Sequence, residues 1–361
     1  MFNKQNPIQV LLVDDSRMIT RVISRIIEED EGFQVMGIAS DPYEAVDIMK
    51  KKRPDVILLD IEMPRMDGLT FLRKIMSQHP IPVVIFSGVA EKNSHNAIKA
   101  LGYGAVAILQ KPKSIISPDF QEMKVRFMET LKGAAASKSR LKLLRPSSKI
   151  VHPYTAEALL EKEANAGQQM ASRQVVVVGS STGGTQAIDF LIRNLHPGGP
   201  GILITQHMPG EFTKAFAERL NAFSPLLIKE AEDGEIIRNS CVYISNGFYH
   251  LLIEKQGREY VVRLKDGPFV NLHKPSVDVL FRSAASYAAT HAVGILMTGM
   301  GNDGARGLLE MKKAGAMTIA QDEASSVVFG MPREAIRIGA TRNVFSLKKI
   351  LDHLNGYLSN H

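Results

Sequence analysis

The N-terminal third of the chain alternates between short apolar runs and segments in which apolar residues recur every three or four positions. Short apolar runs are typical of buried strands, and the three-to-four spacing is typical of amphipathic helices. The predicted strands are Ile8–Val13, Phe33–Ala39, Val56–Asp60, Val83–Phe86 and Ala105–Leu109, and the predicted helices are Ser16–Glu28, Pro42–Lys51, Met66–Gln78, Glu91–Leu101 and Asp119–Leu131. Five strand–helix units in a row predict a parallel sheet with helices on both faces.

Polar residues stand where these predicted strands end: Asp14 and Asp15 after the first, Asp60 after the third, Ser87 after the fourth and Lys111 after the fifth. In an open α/β sheet the carboxyl ends of the strands form the ligand crevice. With a strand order of 2-1-3-4-5 the three aspartates would converge, and a hard cation such as Mg²⁺ would relieve their repulsion. Asp60 would then attack phosphorus, Lys111 would stabilise the phosphoryl oxygens and Ser87 would hydrogen-bond the product. One acidic residue at a strand end is usually just solvated, but polar groups on four crevice loops argue against that reading.

Three motifs belong to this crevice: Val13-Asp-Asp-Ser16, Leu59-Asp-Ile-Glu-Met-Pro-Arg-Met-Asp-Gly68 and Lys111-Pro112. With them, residues 7–132 closely resemble the flavodoxin-like response-regulator receiver domain. The resemblance implies phosphorylation of Asp60 by a sensor histidine kinase. It also implies Mg²⁺ held by Asp15, Asp60 and the Glu62 carbonyl, with Asp14 assisting. The family usually has Tyr or Phe three positions before the strand-end lysine; Ile108 stands there, so the phosphoacceptor chemistry is expected without the usual aromatic switch.

Residues 132–172 shift in composition to Ala, Ser, Lys and Arg with weak periodicity, which indicates a linker between domains at 1–131 and 173–361. A short amphipathic helix is predicted at Thr155–Ala164. The basic residues are expected to form a solvated face, and binding of an acidic partner is the alternative.

The second domain begins with Val175-Val-Val-Val-Gly179-Ser-Ser-Thr-Gly183-Gly184. Four β-branched residues predict a strand buried on both faces, the glycines allow a sharp turn, and the spacing of Ala187, Ile188, Leu191 and Ile192 predicts a following helix. Ser181 lies in a G-x-S-x-G pattern, which is typical of a nucleophile on a strand-to-helix turn. A turn of this composition could equally cradle a phosphate.

His207 follows the predicted strand Gly201–Thr205, and Asp303 lies in a glycine-rich turn after the predicted strand Ala292–Met297. Ser181, His207 and Asp303 would therefore meet at one sheet edge, as acyl transfer requires of a hydroxyl nucleophile, an imidazole base and an orienting carboxylate. The backbone N–H of Met300 is a candidate oxyanion donor.

Several features of the second domain leave alternatives open. His250 and His273 are rival bases, and His273 or Lys274 could line the substrate cleft. The segments Leu226–Ala231, Cys241–Ser245, Phe248–Glu254 and Tyr260–Leu264 are predicted as short antiparallel strands. The fold class is therefore two doubly wound α/β domains, the second Rossmann-like with an antiparallel hairpin insertion. No Cys/His spacing indicates zinc, and no acidic residue ends the second strand as a dinucleotide ribose would need, so no cofactor is expected there.

Composition narrows the class of protein further. Hydrophobic residues make up 45% and charged residues 22% of the 361 residues, as in ordinary soluble proteins. No apolar run approaches the ~20 residues of a membrane span, so no membrane insertion is expected. The single cysteine, Cys241, suits a reducing cytoplasm. The net charge is +7, but the basic residues are scattered, and nucleic-acid binding is not expected.

Six motifs carry a second resemblance: Gly179-Ser-Ser-Thr-Gly-Gly184, Gln206-His-Met-Pro209, Asp266-Gly-Pro268, Pro275-Ser-Val-Asp278, Thr298-Gly-Met-Gly-Asn-Asp-Gly304 and Val328-Phe-Gly-Met-Pro-Arg333. They resemble the chemotaxis-type protein-glutamate methylesterase family, in which a receiver precedes the esterase domain. The resemblance implies Ser181 as nucleophile, His207 as base and Asp303 as its orienting carboxylate. Ser180 stands where the family commonly has Ala, which adds a second hydroxyl beside the nucleophile.

The expected substrates are glutamyl methyl esters on the cytoplasmic helices of chemoreceptors, with receptor glutamine deamidation as a second activity. Phosphorylation at Asp60 is expected to move the receiver and open access to Ser181. Two alternatives stay open: a receiver-controlled module that binds a phosphate or nucleotide at 179–184, and an esterase acting on a signalling protein outside chemotaxis.

Overall fold

The structure is a computed structural model that describes residues 6–63, 65–88, 91–112, 120–144 and 170–358. The chain divides into two compact units, Met1–Pro146 and Ser147–His361. Among the helices that the structure describes, none combines the length and apolar character needed to cross a membrane. The predicted helix at 155–164 lies outside the described residues.

The first unit is the predicted five-stranded parallel sheet, in the strand order 2-1-3-4-5. Its strands are β1 (Ile8–Val13), β2 (Phe33–Ala39), β3 (Val56–Leu59), β4 (Val83–Ser87) and β5 (Ala107–Gln110), and its helices are α1 (Arg17–Glu28), α2 (Pro42–Lys51), α3 (Gly68–Gln78), α4 (Glu91–Gly102) and α5 (Phe120–Ala136). Strands β1, β3 and β4 are almost wholly buried, because helices cover both faces of the sheet.

Side-chain caps set where three of these helices begin. Ser16, Asp41 and Asp67 each accept hydrogen bonds from first-turn N–H groups of α1, α2 and α3. Two helices therefore start one or two residues later than periodicity alone predicts, since periodicity does not show a cap.

Helical structure continues past the end of the predicted receiver segment. Helix α5 runs to Ala136, and a 3-10 segment, Ser137–Leu144, follows it. Ser137 and Leu141 are buried, and Lys138 forms an ion pair with Asp55 of the same unit at 2.7 Å. The domain boundaries at 131 and 172 stay a prediction.

The second unit contains a seven-stranded parallel sheet, in the order β14-β13-β12-β6-β7-β9-β8. Its strands are β6 (Val175–Ser180), β7 (Gly201–Gln206), β8 (Leu227–Glu230), β9 (Cys241–Ile244), β12 (Ala292–Leu296), β13 (Met317–Gln321) and β14 (Asn343–Phe345). Its helices are α6 (Gly184–Asn194), α7 (Gly210–Asn221), α8 (Val277–Tyr287), α9 (Ala305–Lys313), α10 (Met331–Arg337) and α11 (Leu347–Leu358). The central strands β12, β6 and β7 place the three predicted catalytic residues at one sheet edge.

One hairpin is antiparallel, as predicted: β10 (His250–Gln256) pairs with β11 (Glu259–Lys265). The prediction that the segments at 226–231 and 241–245 are also antiparallel is wrong, because β8 and β9 run parallel and extend the main sheet beside β7. Strand β9 is buried along its whole length, as a strand inside a parallel sheet is. Strands β13 and β14 were not predicted.

Candidate active site and phosphoacceptor site

The turn that carries Ser181 depends on backbone approaches that only glycine permits. A Cβ on Gly179 would lie 2.1 Å from Val277 Cγ1, and one on Gly184 would lie 2.3 Å from Gln206 Oε1. Gly183 has a φ of 77°, in the left-handed region that favours glycine. Ser181 is thereby held between the end of β6 and the start of α6, where its backbone N–H donates to the Thr298 carbonyl at 3.0 Å.

The second hydroxyl, on Ser180 beside Ser181, is buried and hydrogen-bonded within the sheet. Ser180 is fully buried, and its Oγ donates to Gln206 Oε1 at 2.7 Å. The amide of Gln206 in turn donates to the Ser181 carbonyl at 3.0 Å. The Ser180 hydroxyl therefore links β6 to β7 by a hydrogen bond, a structural role that the sequence pattern does not reveal.

His207 follows β7, and its ring is paired with Asp303. His207 Nε2 lies 2.8 Å from Asp303 Oδ2, and the two side chains are 5% and 1% exposed. His207 Nδ1 is buried and has no hydrogen-bond partner among the described residues. Among residues 170–358 no hydrogen bond joins Ser181 Oγ to His207, although β6 and β7 are paired as far as Ser180 and Gln206. The ring is thus fixed through one nitrogen while the other stays available as a base.

Asp303 is the most heavily hydrogen-bonded side chain of this site. Besides His207, it accepts hydrogen bonds from the backbone N–H groups of Val277 (2.7 Å) and Asp278 (3.2 Å) at the start of α8. The Ser276 hydroxyl and the Asn271 amide also donate to it, at 2.8 and 2.9 Å. Burial opposes ionisation, but the hydrogen bond and charge of His207, with the Asn271 amide and the charge of His273, outweigh it and lower the pKa of Asp303 below its usual range.

The other histidines of the unit have different positions. His273 stacks on His207, with ring centroids 3.6 Å apart and planes 13° from parallel. His250 lies with Nε2 2.9 Å from the Pro268 carbonyl, while its Nδ1 accepts from the Ser276 N–H at 3.2 Å. Lys274 binds Asp266 at 3.0 Å. Both His250 nitrogens are therefore engaged in loop contacts, and His207 is the histidine whose ring joins Asp303.

The loop with Met300 packs directly against the Ser181 turn. A Cβ on Gly299 would lie 2.8 Å from Ser181 Cβ, and Gly301 has a φ of 81°. The N–H of Met300 donates to none of the residues that the structure describes. That placement is compatible with an oxyanion donor, and the role itself stays a prediction.

In the first unit, Asp14, Asp15 and Asp60 meet as predicted, with one carboxylate oxygen of each lying within 4.8 Å of the others. Lys111 Nζ contacts Asp60 at 2.7 Å and Asp14 at 2.6 Å. Burial raises the pKa of Asp60; Lys111 opposes this shift and Asp14 adds to it. Burial also lowers the pKa of Lys111, but its contacts with both carboxylates outweigh burial, so that its pKa is raised overall.

Three further residues complete the description of this crevice. Ser87 is buried at the end of β4, and its carbonyl accepts from the Lys111 N–H at 2.8 Å. Glu62 is exposed and donates its N–H to Asp60 Oδ1 at 3.2 Å. Ile108 is buried in β5. Clustered carboxylate oxygens are the ligands that Mg²⁺ prefers, so the residues present fit this ion.

These observations define a protein of two α/β units, in which a receiver-type sheet with an acidic crevice precedes a parallel-sheet unit with a serine, a histidine and an aspartate at one edge. The family model for the response regulator receiver domain matches residues 10–117, and that for CheB methylesterase matches residues 176–354. Because relatives of 48% and 50% identity cover 95% of the chain, the chain belongs to the protein-glutamate methylesterase/protein-glutamine glutaminase family.

Relatives cover almost the whole chain. A protein of Geobacter metallireducens named protein-glutamate methylesterase/protein-glutamine glutaminase 3 is 48% identical over 345 residues, which are 95% of this chain and 97% of that protein. One from Rhodopseudomonas palustris with the same activity names is 50% identical over 343 residues, or 95% and 94%. The crystal structure of the Thermotoga maritima CheB methylesterase catalytic domain is 38% identical, covers 51% of this chain and 97% of that chain, and gives a TM-score of 0.49.

Proposed function

We propose that the protein hydrolyses glutamyl methyl esters on chemoreceptors and that phosphorylation of its receiver controls this activity. The observation that carries the proposal is the buried His207–Asp303 pair beside the Ser181 turn, with His207 Nδ1 left without a partner among the described residues. Family membership and the names of relatives supply the substrate class.

In the proposed reaction Ser181 Oγ attacks the ester carbonyl while His207 Nδ1 takes its proton. Asp303 holds the Nε2 proton and stabilises the imidazolium that forms. The C–O bond then breaks, the imidazolium protonates the leaving oxygen, and methanol departs. A water molecule, deprotonated by His207, hydrolyses the acyl-serine to glutamate and restores the hydroxyl.

Two extensions follow from the same geometry. The Met300 N–H would donate to the oxyanion of the tetrahedral intermediate. A side-chain amide is attacked in the same way, with ammonia as the leaving group, so receptor glutamine deamidation is the second proposed activity. No cofactor enters either reaction.

Control is proposed to begin at Asp60, phosphorylated by a sensor histidine kinase. Asp14, Asp15 and Asp60, with the Glu62 carbonyl, would hold Mg²⁺, which supplies positive charge for the transferring phosphoryl group. Lys111 and Ser87 would bind its oxygens. Ile108 has no aromatic ring to serve as the usual switch, so the signal is proposed to leave the crevice through other residues. A reducing cytoplasm is the proposed location, and the single buried Cys241 suits it.

The test is methanol release from membranes that carry methylated receptors, with and without a small phosphodonor and Mg²⁺. Ser181→Ala should abolish release, whereas Ser286→Ala, an exposed serine on α8, should leave it unchanged. Asp60→Asn should retain basal release and lose the stimulation, whereas Asp47→Asn, at an exposed ion pair on α2, should keep both.

Each outcome addresses one part of the proposal. Release that survives Ser181→Ala would refute the nucleophile. Release without stimulation would retain the esterase and refute control through Asp60. If no receptor tested yields methanol, the ester substrate is wrong and the glycine-rich turn at 179–184 is better explained as a binding site for an anion.

A further inference from the structure

The loop between the hairpin and α8 contains a tight turn, Val270–His273, in an unfavourable backbone conformation. The backbone groups of Val270 and His273 exchange two hydrogen bonds of 3.0 Å, which closes a two-residue connection. Both central residues have positive φ values, 51° for Asn271 and 68° for Leu272. Asparagine tolerates this conformation, but leucine does not favour it, and its side chain is 39% exposed. Backbone strain of this kind persists where the surroundings enforce it, often beside functional sites.

The turn places two side chains against the His207–Asp303 pair. The Asn271 amide nitrogen donates to Asp303 Oδ1 at 2.9 Å and to Asp278 Oδ2 at 2.6 Å, although the residue itself is at the surface. His273, at the other end of the turn, lies flat on the His207 ring. One short turn therefore touches both members of the pair.

Asn271 also separates two buried carboxylates. Asp278 accepts from the Gly307 N–H at 2.6 Å and lies beside Asp303 at the start of α8. The two hydrogens of one amide nitrogen serve both carboxylates, so a single neutral group fixes the distance between two groups that would otherwise repel.

We propose that Asn271 is a positioning residue for the proposed ester hydrolysis: its amide fixes Asp303 towards His207, and its turn keeps His273 stacked on the His207 ring. This inference rests on the proposed function, because it assigns a role within that reaction. Asn271 transfers no proton and touches no reacting atom in it.

The test compares Asn271→Gly with Leu272→Gly in the full chain. Glycine accepts the positive φ at either position, so both variants keep the turn, but only Asn271→Gly removes the amide. We expect kcat for methanol release to fall about 10- to 100-fold in Asn271→Gly with KM changed less than about twofold, because misplaced catalytic groups slow the chemical step. Leu272→Gly should stay within about twofold of the wild type. Asn271→Ser, with one donor in place of two, should lie between Asn271→Gly and the wild type.

A resonance of the His207 ring, together with the split between kcat and KM, separates positioning from general destabilisation. The titratable groups around Asp303 are His207, His273 and Asp278, with His250 reached through the Ser276 N–H. Without the amide, Asp303 is no longer fixed against His207, and the electrostatic environment of the ring changes. The C–H resonance of His207, assigned with His207→Gln, should therefore shift at constant pH in Asn271→Gly and stay in place in Leu272→Gly. This second measurement needs no substrate.

The outcomes distinguish failure of this inference from failure of the proposed function. If the wild type shows no release that depends on Ser181, the proposed function fails, and the His207 resonance still tests whether Asn271 acts on the pair. An unchanged kcat and an unshifted His207 resonance in Asn271→Gly would overturn the inference. So would an equal loss of activity in Leu272→Gly, or a rise in KM with kcat unchanged, which would make Asn271 a substrate contact.

Discussion

Replacing Asp303 by asparagine should cost both activity and stability, because every neighbour of this carboxylate acts as a hydrogen-bond donor. Oδ2 accepts from His207 and the Val277 N–H, and Oδ1 accepts from the other three donors. An amide has one oxygen, so Asp303→Asn turns an NH₂ group towards one of these two sets. The less costly orientation keeps the amide oxygen facing the three donors that now bind Oδ1. The NH₂ group then faces His207 and the Val277 N–H.

The size of both effects follows from that orientation. Hydrogen bonds to a charged group contribute about 1.5–3 kcal/mol each, and those between neutral groups about 0.5–1.5 kcal/mol. The bond from the Val277 N–H is lost, and the bond with His207 reverses and becomes neutral, so the unit should be destabilised by about 2.5–4.5 kcal/mol. A domain is stable by only about 5–15 kcal/mol, so this is a large fraction. The NH₂ group also forces His207 Nε2 to accept, which moves the ring proton to Nδ1 and blocks the base. Activity should fall by roughly 10⁴-fold, which is the loss seen when the triad aspartate of a serine protease is replaced by asparagine.

The assay uses the only cysteine of the chain, Cys241, as a probe of the second unit. It is buried in β9, so brief thiol labelling across a urea series reports the unfolding of this unit separately from the receiver. Asp352→Asn, at an exposed position on α11, is the matched control and should leave the transition unchanged. Equal urea midpoints for Asp303→Asn and the wild type would refute the reasoning.

The pH dependence of this contribution has a definite sign. The pKa of Asp303 is lower in the folded than in the unfolded protein, so the stability it adds is complete above the unfolded pKa of about 3.9. It is lost as the pH falls from there towards the folded pKa. The difference in stability between the wild type and Asp303→Asn should therefore be constant at neutral pH and shrink below about pH 4.

Three further predictions concern other parts of the molecule. Gly179→Ala should lower the free energy of unfolding of the second unit by about 1–3 kcal/mol, because its Cβ would lie 2.1 Å from a valine methyl at the start of α8. In the same urea assay Gly356→Ala, which has open space around it on α11, should be neutral or stabilising. Mg²⁺ at 100 times its dissociation constant should stabilise the receiver by about 2.7 kcal/mol in calorimetry. Asp15→Asn should remove this effect and Asp47→Asn should not. Equal stabilisation of the wild type and both variants would exclude Asp15 as a ligand. Cys241 should resist thiol reagents in the native state because burial raises its thiol pKa. Rapid labelling of Cys241 without urea would show that this thiol is accessible and contradict the prediction.

The sequence predicts the receiver sheet well because each of its signals is local. A run such as Val10–Val13 can be recognised as a buried strand from its own residues alone. The polar residue that follows it must then lie at the end of a strand. Once the strand order is known, the convergence of Asp14 and Asp60 follows from geometry alone. The prediction that β8 and β9 are antiparallel is wrong, because strand direction depends on where the chain returns to the sheet, which no local pattern encodes.

The proposed catalytic residues differ in the same way: some could be predicted from local patterns and one could not. Ser181, His207 and Asp303 each follow a strand pattern, so their type and place could be predicted together. Asn271 follows no strand and stands in an irregular loop, where periodicity is silent. Its importance depends on a turn with two positive φ values and on the start of α8, which brings Asp278 beside Asp303. Residues that act through another residue are therefore hidden from the sequence until the surrounding backbone is known, and this is why the proposed positioning role rests on the structure alone.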